Sequence, residues 1–172
     1  METIAFIGCG AMGAPIAERL IDAGYVVRLF DPRADAMAPL VKRGGVATRS
    51  PQDAANGAAV AFACLPSPEV SRAVALGADG VIGAASLRTY VEMSTIGSPA
   101  VQEIAAELGK KNIVMLDSPV SGGPRGARAG TLATMVAGEH AAFERVKPML
   151  QTLARNVFYV GDKPGQIGRA HV

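Results

Sequence analysis

The chain has 172 residues, 49% of them hydrophobic, and a formal charge of +2. That length allows one domain with a substantial core, and 20 glycines with 11 prolines suit a packed globular fold better than disorder. A charge this small, no lysine or arginine run beyond two residues and no tryptophan argue against a nucleic-acid binder, and no apolar stretch reaches membrane-span length.

The opening METIAFIGCG has no basic leader followed by an apolar run and a cleavage site, so a mature cytoplasmic sequence is expected. Cys9 and Cys64 fit a reducing compartment and are expected to be small buried thiols rather than a bridge. Short apolar runs then alternate with amphipathic stretches, the pattern of βαβ units around a mostly parallel sheet. Strands are predicted at 3–8, 26–31, 45–47 and 59–65, with helices at 11–24 and 33–43 between the first three. Ser50 and Pro51 open a helix over 50–56, serine as cap and proline in the first turn. A short helix follows the PSP at 66–68, then a strand at 89–94, a helix at 98–109 and a strand at 112–120. Strands at 131–138 and 156–161 flank a last helix over 140–154. The whole reads as one doubly wound α/β (Rossmann) domain.

GCGAMG places Gly8, Gly10 and Gly13 between a buried strand and a helix. The first glycine permits the tight turn, the second lets backbone approach a pyrophosphate, and the third lets the helix pack on the strand. The helix start offers free N–H groups and a positive dipole end to phosphate. Asp31 ends the second strand about twenty residues on, where an acid accepts hydrogen bonds from ribose hydroxyls and repels a 2′-phosphate. NAD is therefore favoured, while Arg33 keeps NADP open. The second informative stretch is DSPVSGGPRGARAGTL (117–132): Ser121, Gly122 and Gly123 precede a proline-initiated helix and form a candidate cradle for a substrate carboxylate. An acid–base group is harder to find. His140 opens a late helix as a solvated or capping residue, no metal-ligand spacing occurs, and Ser121 has no histidine partner.

Four stretches in order, FIGCGAMGAPIAERL, CLPSPEV, VEMSTIGSP and DSPVSGGPRGARAGTLATMVAGE, resemble the β-hydroxyacid dehydrogenase family over residues 3–166. That family includes 3-hydroxyisobutyrate dehydrogenase, tartronate semialdehyde reductase and, more distantly, 6-phosphogluconate dehydrogenase. The resemblance implies that Gly8, Gly10, Ala11, Met12, Gly13 and Asp31 bind the dinucleotide and that Leu65 and Pro66 wall it. It implies that Thr95 lies near the nicotinamide and the substrate, and that Ser121, Gly122 and Gly123 hold the carboxylate of a small hydroxyacid. It further implies hydride exchange with that acid's hydroxyl-bearing carbon and a homodimeric or homotetrameric parent. Cys9 stands where leucine is usual and Arg19 where asparagine is common, both expected to be peripheral to the chemistry.

The family's acid–base lysine lies in a pattern like G-x-G-x-x-x-K-x-x-N-N. Matching it from Gly165 requires glycine at 167 and lysine at 171, where this chain has Ile167 and His171. The closing IGRAHV can be encoded by ATC GGA AGA GCA CAC GTC with TGA next, a string resembling a short-read sequencing adapter. The expectation is a dinucleotide-binding domain at 1–166, a non-native tail at 167–172, a missing C-terminal helical domain and little turnover. The alternatives are a non-catalytic NAD(P)-binding module and an imine-reducing relative.

Overall fold

The computed structural model describes residues 1–167. Its first six strands run parallel: β1 (Thr3–Ile7), β2 (Val26–Phe30), β3 (Val46–Ala47), β4 (Val60–Ala63), β5 (Thr89–Glu92) and β6 (Val114–Asp117). Their spatial order is β3-β2-β1-β4-β5-β6, so the chain works outward from β1 in one direction and then, from β4, in the other. That reversal opens a crevice between the carboxyl ends of β1 and β4, the place where doubly wound sheets bind ligands.

Both sheet faces are covered, which explains why β4 and β5 are buried at every position. Side chains alternate along β1: Ile4 and Phe6 join one core cluster, Ala5 and Ile7 the other. The first cluster is capped by α1 (Gly13–Asp22), whose buried Gly13, Ile16, Ala17 and Leu20 follow helical spacing, and by α2 (Ala34–Lys42). The second is capped by α3 (Pro51–Ala55), α4 (Pro68–Leu76) and α5 (Ser98–Gly109). Ser50 and Ser67 cap α3 and α4 by accepting the N–H groups of Asp53 and Val70, and each helix begins on a proline.

The run 112–120, expected as one strand, is two. β6 ends at Asp117, and β7 (Val120–Ser121) resumes after Ser118–Pro119. Proline has no N–H for the ladder, so the strand breaks there. α6 (Gly123–Ala129) leads to β8 (Leu132–Ala137), antiparallel to both β6 and β7. α7 (His140–Leu153) returns to β9 (Ala154–Gly161), parallel to β8. The Thr134 hydroxyl fills the break, bonding the carbonyls of Ser118 and Pro119 and sharing a 2.8 Å hydrogen bond with the Ser118 hydroxyl.

Arg19 has a structural task. Its Nε donates to the Thr152 carbonyl at 2.7 Å and its Nη1 to the Arg128 carbonyl at 3.2 Å, tying α1 to the ends of α7 and α6. His140 is exposed at the start of α7, with its ring edge-on to Tyr159. Among the described residues no helix is long and apolar enough to cross a membrane.

Candidate functional site

The carboxyl ends of β1, β2, β4 and β5 enclose a cavity of about 740 Å3. Gly8, Gly10, Ala11, Met12 and Gly13 form its floor, Asp31 and Arg33 one side, and Leu65, Pro66, Ser94 and Thr95 the other. Three glycines make the floor possible for different reasons. Gly8 has φ +94°, and a Cβ there would overlap the Cys64 carbonyl. A Cβ on Gly13 would overlap the Gly8 carbonyl. Gly10 instead faces open space: the nearest atom to a Cβ there is Arg33 Nη2 at 3.9 Å. A cradle that a side chain would fill, at the start of a helix whose N-cap Met12 supplies no side-chain hydrogen bond, fits the phosphates of a dinucleotide.

Asp31 is buried and already employed. Its Oδ2 accepts the Cys9 N–H and its Oδ1 the Arg33 N–H, each at 2.9 Å, while Arg33 Nε lies 3.4 Å from Oδ1. A carboxylate has about four acceptor positions, so two remain for hydroxyls in the cavity it lines. Cys9 is thus one step from the site through its backbone. Its thiol is pushed up to about 12, by burial first and then by the Asp31 charge. The Cys64 thiol, half-buried rather than buried as expected, is pushed up to about 11 by desolvation and the Glu92 charge. Both stay protonated and neither is a nucleophile at neutral pH.

A second cavity of about 490 Å3 adjoins the first across Ser94, Thr95 and Val120. Ser121 lines it, with Ser98, Asp117, Met135, Phe158, Gly165 and Ile167. Gly123 lines the first cavity, and Gly122 lines neither. Both glycines hold positive φ, +130° and +64°, which lets the backbone turn sharply into α6. Asp117 Oδ2 accepts the Gly165 N–H at 3.2 Å, and the Ser98 hydroxyl donates to the Gly165 carbonyl at 2.8 Å. Burial lifts the Asp117 carboxyl to about 6 against the opposing pull of that N–H.

The structure thus brings Gly8, Gly10, Ala11, Met12, Gly13, Asp31, Leu65, Pro66 and Thr95 to one cavity and Ser121 to its neighbour. His171 lies outside the described residues. Sequence reading passed over Ser94, Glu92 and Asp117. The available signal was an acid ending an otherwise apolar strand, in TYVE and VMLD, since strand ends in this fold face the crevice.

A family model, the NAD binding domain of 6-phosphogluconate dehydrogenase, matches residues 3–161. The NAD-dependent L-serine dehydrogenase of Pseudomonas aeruginosa is 41% identical over 171 residues, covering 98% of this chain and 57% of that protein. The solved structure of Mycobacterium tuberculosis 3-hydroxyisobutyrate dehydrogenase with L-serine is 37% identical with a TM-score of 0.89, covering 98% of this chain and 58% of that one. A Streptomyces aurantiacus imine reductase, at 24% identity and TM-score 0.88, with 99% of this chain and 59% of that one covered, shares the fold. The chain therefore spans a little over half the length of these proteins. With its family's cofactor, NAD(P), matching the cradle at the β1–α1 turn, the chain belongs to the NAD-binding domains of 6-phosphogluconate dehydrogenase type, within the β-hydroxyacid dehydrogenases.

Proposed function

We propose that this chain is the cofactor-holding part of an NAD-preferring dehydrogenase of small hydroxyacids. One observation carries the reading: nine residues from four separate segments converge on a single cavity at the strand ends. The Gly8–Gly13 turn and the α1 start hold the pyrophosphate, and Asp31 holds the adenine ribose. Leu65, Pro66 and Thr95 wall the nicotinamide end and exclude water from one side. Ser121 and Gly123, one on each cavity, hold the substrate carboxylate, with Gly122 turning the backbone between them. A bound dinucleotide supplies the hydride acceptor or donor, and these residues bind and orient both partners.

Proton transfer is another matter. Among the described residues, the ionisable side chains lining the two cavities are Asp31, Arg33, Cys64 and Asp117. None of these is a lysine or histidine: the Cys64 thiol is un-ionised, Asp31 faces the ribose end, and Asp117, lifted to about 6, is held by the Gly165 N–H. General acid–base catalysis is worth roughly 10²–10⁴-fold, and the absence of a lysine or histidine from the described lining supports the reading that the chain on its own binds cofactor with little turnover. The setting that suits its two free thiols is the cytoplasm.

The test is a fluorescence titration of the full 172-residue chain with NADH and NADPH, followed by NADH production with L-serine or 3-hydroxyisobutyrate as substrate. Expected are saturable NADH binding, NADPH binding weaker by about tenfold through repulsion at Asp31, and no hydroxyacid-dependent NADH. Absence of NADH binding overturns the cofactor assignment, and sustained turnover overturns the assignment of the missing proton donor.

A further inference from the structure

The backbone ladder between β4 and β5 stops at Ala63 and Glu92, with a last hydrogen bond from the Met93 N–H to the Ala63 carbonyl. Beyond that point the two chains diverge to form the mouth of the cleft, and a side-chain relay replaces the ladder. The Leu65 N–H donates to the Ser94 hydroxyl at 2.7 Å. Ser94 is held in turn by Glu92, whose Oε1 accepts the Ser94 N–H at 3.1 Å. The Tyr90 hydroxyl donates to Glu92 Oε2 at 3.1 Å. Ser71 of α4, fully buried, lies against the same carboxyl without a hydrogen bond of regular geometry.

Glu92, Tyr90 and Ser71 have essentially no solvent exposure. A carboxyl placed there costs desolvation that an apolar residue of similar volume would not. What the carboxyl adds is directional: it fixes Ser94, and Ser94 fixes the Leu65 peptide. Leu65 itself and Thr95, next to Ser94, wall the cavity just beyond the ends of β4 and β5. The far end of the cavity is held by other bonds, the Gly8 N–H to the Phe30 carbonyl and the Cys9 N–H to Asp31, neither of which passes through Glu92.

We propose that Glu92 is a positioning residue for the cleft end formed by Leu65, Pro66 and Thr95, acting through Ser94, so that it governs the grip on the nicotinamide half of the dinucleotide and not on its ADP-ribose half. The inference rests on the cofactor reading above. The titratable groups near Glu92 are Cys64, just beyond β4, whose thiol is raised by burial first and by Glu92 second, and Tyr90 of β5. Burial raises the Glu92 carboxyl, and the hydrogen bonds from Ser94 and Tyr90 oppose that rise. Protonated or ionised, the group retains an oxygen for the Ser94 N–H.

ADP-ribose lacks the nicotinamide, so it separates the two ends. The full chain and its Glu92→Gln, Glu92→Ala and Ser94→Ala variants are titrated with NADH by fluorescence and with ADP-ribose by calorimetry. Glu92→Gln keeps an acceptor for Ser94 and retains NADH affinity within about threefold, whereas Glu92→Ala and Ser94→Ala weaken NADH by about tenfold. ADP-ribose affinity stays within about twofold in all three. Should Glu92→Ala fail to fold, Ser94→Ala carries the test, because it removes one hydroxyl and leaves the carboxyl. Equal losses for both ligands in Ser94→Ala, or an unchanged NADH affinity, overturn the proposal while the cofactor reading stands. A wild-type chain that binds neither ligand overturns both.

Discussion

Two glycines at the two ends of α1 respond differently to an added methyl group. At Gly13 a Cβ overlaps the Gly8 carbonyl, and both atoms belong to backbone that cannot give way. At Gly24 there is nothing within 4 Å, and the strain comes from φ +93° alone. Gly13→Ala is expected to lose about 3 kcal/mol of stability and its NADH affinity, and Gly24→Ala about 1–2 kcal/mol with affinity intact. Urea melts paired with NADH titrations check both. The glycine spacing and Asp31 were legible because each answers to a local rule of turn geometry or ribose recognition. Glu92 and Asp117 were legible only in part: an acid ending an apolar strand marks the crevice side, but says nothing about burial until neighbouring strands are placed beside it. Asp31 was only half legible: its position announced a ribose acceptor, but its bonds to the Cys9 and Arg33 amides show that it also shapes the turn it serves.

Among the elements, α1 is the joint. Its buried face packs on the sheet, and Arg19 at its C-terminal turn reaches two carbonyls at the ends of α6 and α7. Hydrogen bonds with a charged donor are worth about 1.5–3 kcal/mol, so Arg19→Met is expected to destabilise the chain by about 2 kcal/mol in a urea melt while NADH affinity holds. Helix positions and the succession of strands along the chain were legible from periodicity. Strand ends were less so, for a physical reason. The apolar run 59–65 outlasts β4, since Cys64 and Leu65 leave the ladder to wall the cavity yet remain apolar. Hydrophobicity reports burial and not pairing, so it overran wherever a strand delivered residues to the site. At 112–120 it bridged a break that Pro119 imposes.

For the molecule as a whole, pH acts through carboxyls that folding makes more basic. Asp117 moves from its ordinary 3.8 to about 6, so the native state binds this proton more tightly than the unfolded chain does. The contribution is complete below the lower value, falls as pH rises through the window between the two, and is gone above about 6. Asp117→Asn keeps an acceptor for the Gly165 N–H and removes the buried charge. It is expected to gain on the order of 2–3 kcal/mol at neutral pH and nothing at acid pH below the ordinary aspartate range, by urea melts at each. Burial raises Glu92 in the same direction, so that group's contribution, of the same sign, remains in the variant.

The break at Ser118–Pro119 has a mechanical side. β8 meets β9 at six positions, yet meets β6 at one and β7 at two. Backbone pairing is therefore dense on either side of this line and sparse along it, with Thr134 bonding across the break. The 490 Å3 cavity straddles the line, with Thr95 and Asp117 on one bank and Met135 and Phe158 on the other. Few ladder pairs join the two banks, so their spacing rests on side chains and on the Gly165 bonds to Asp117 and Ser98, which close the cavity from the far end of β9.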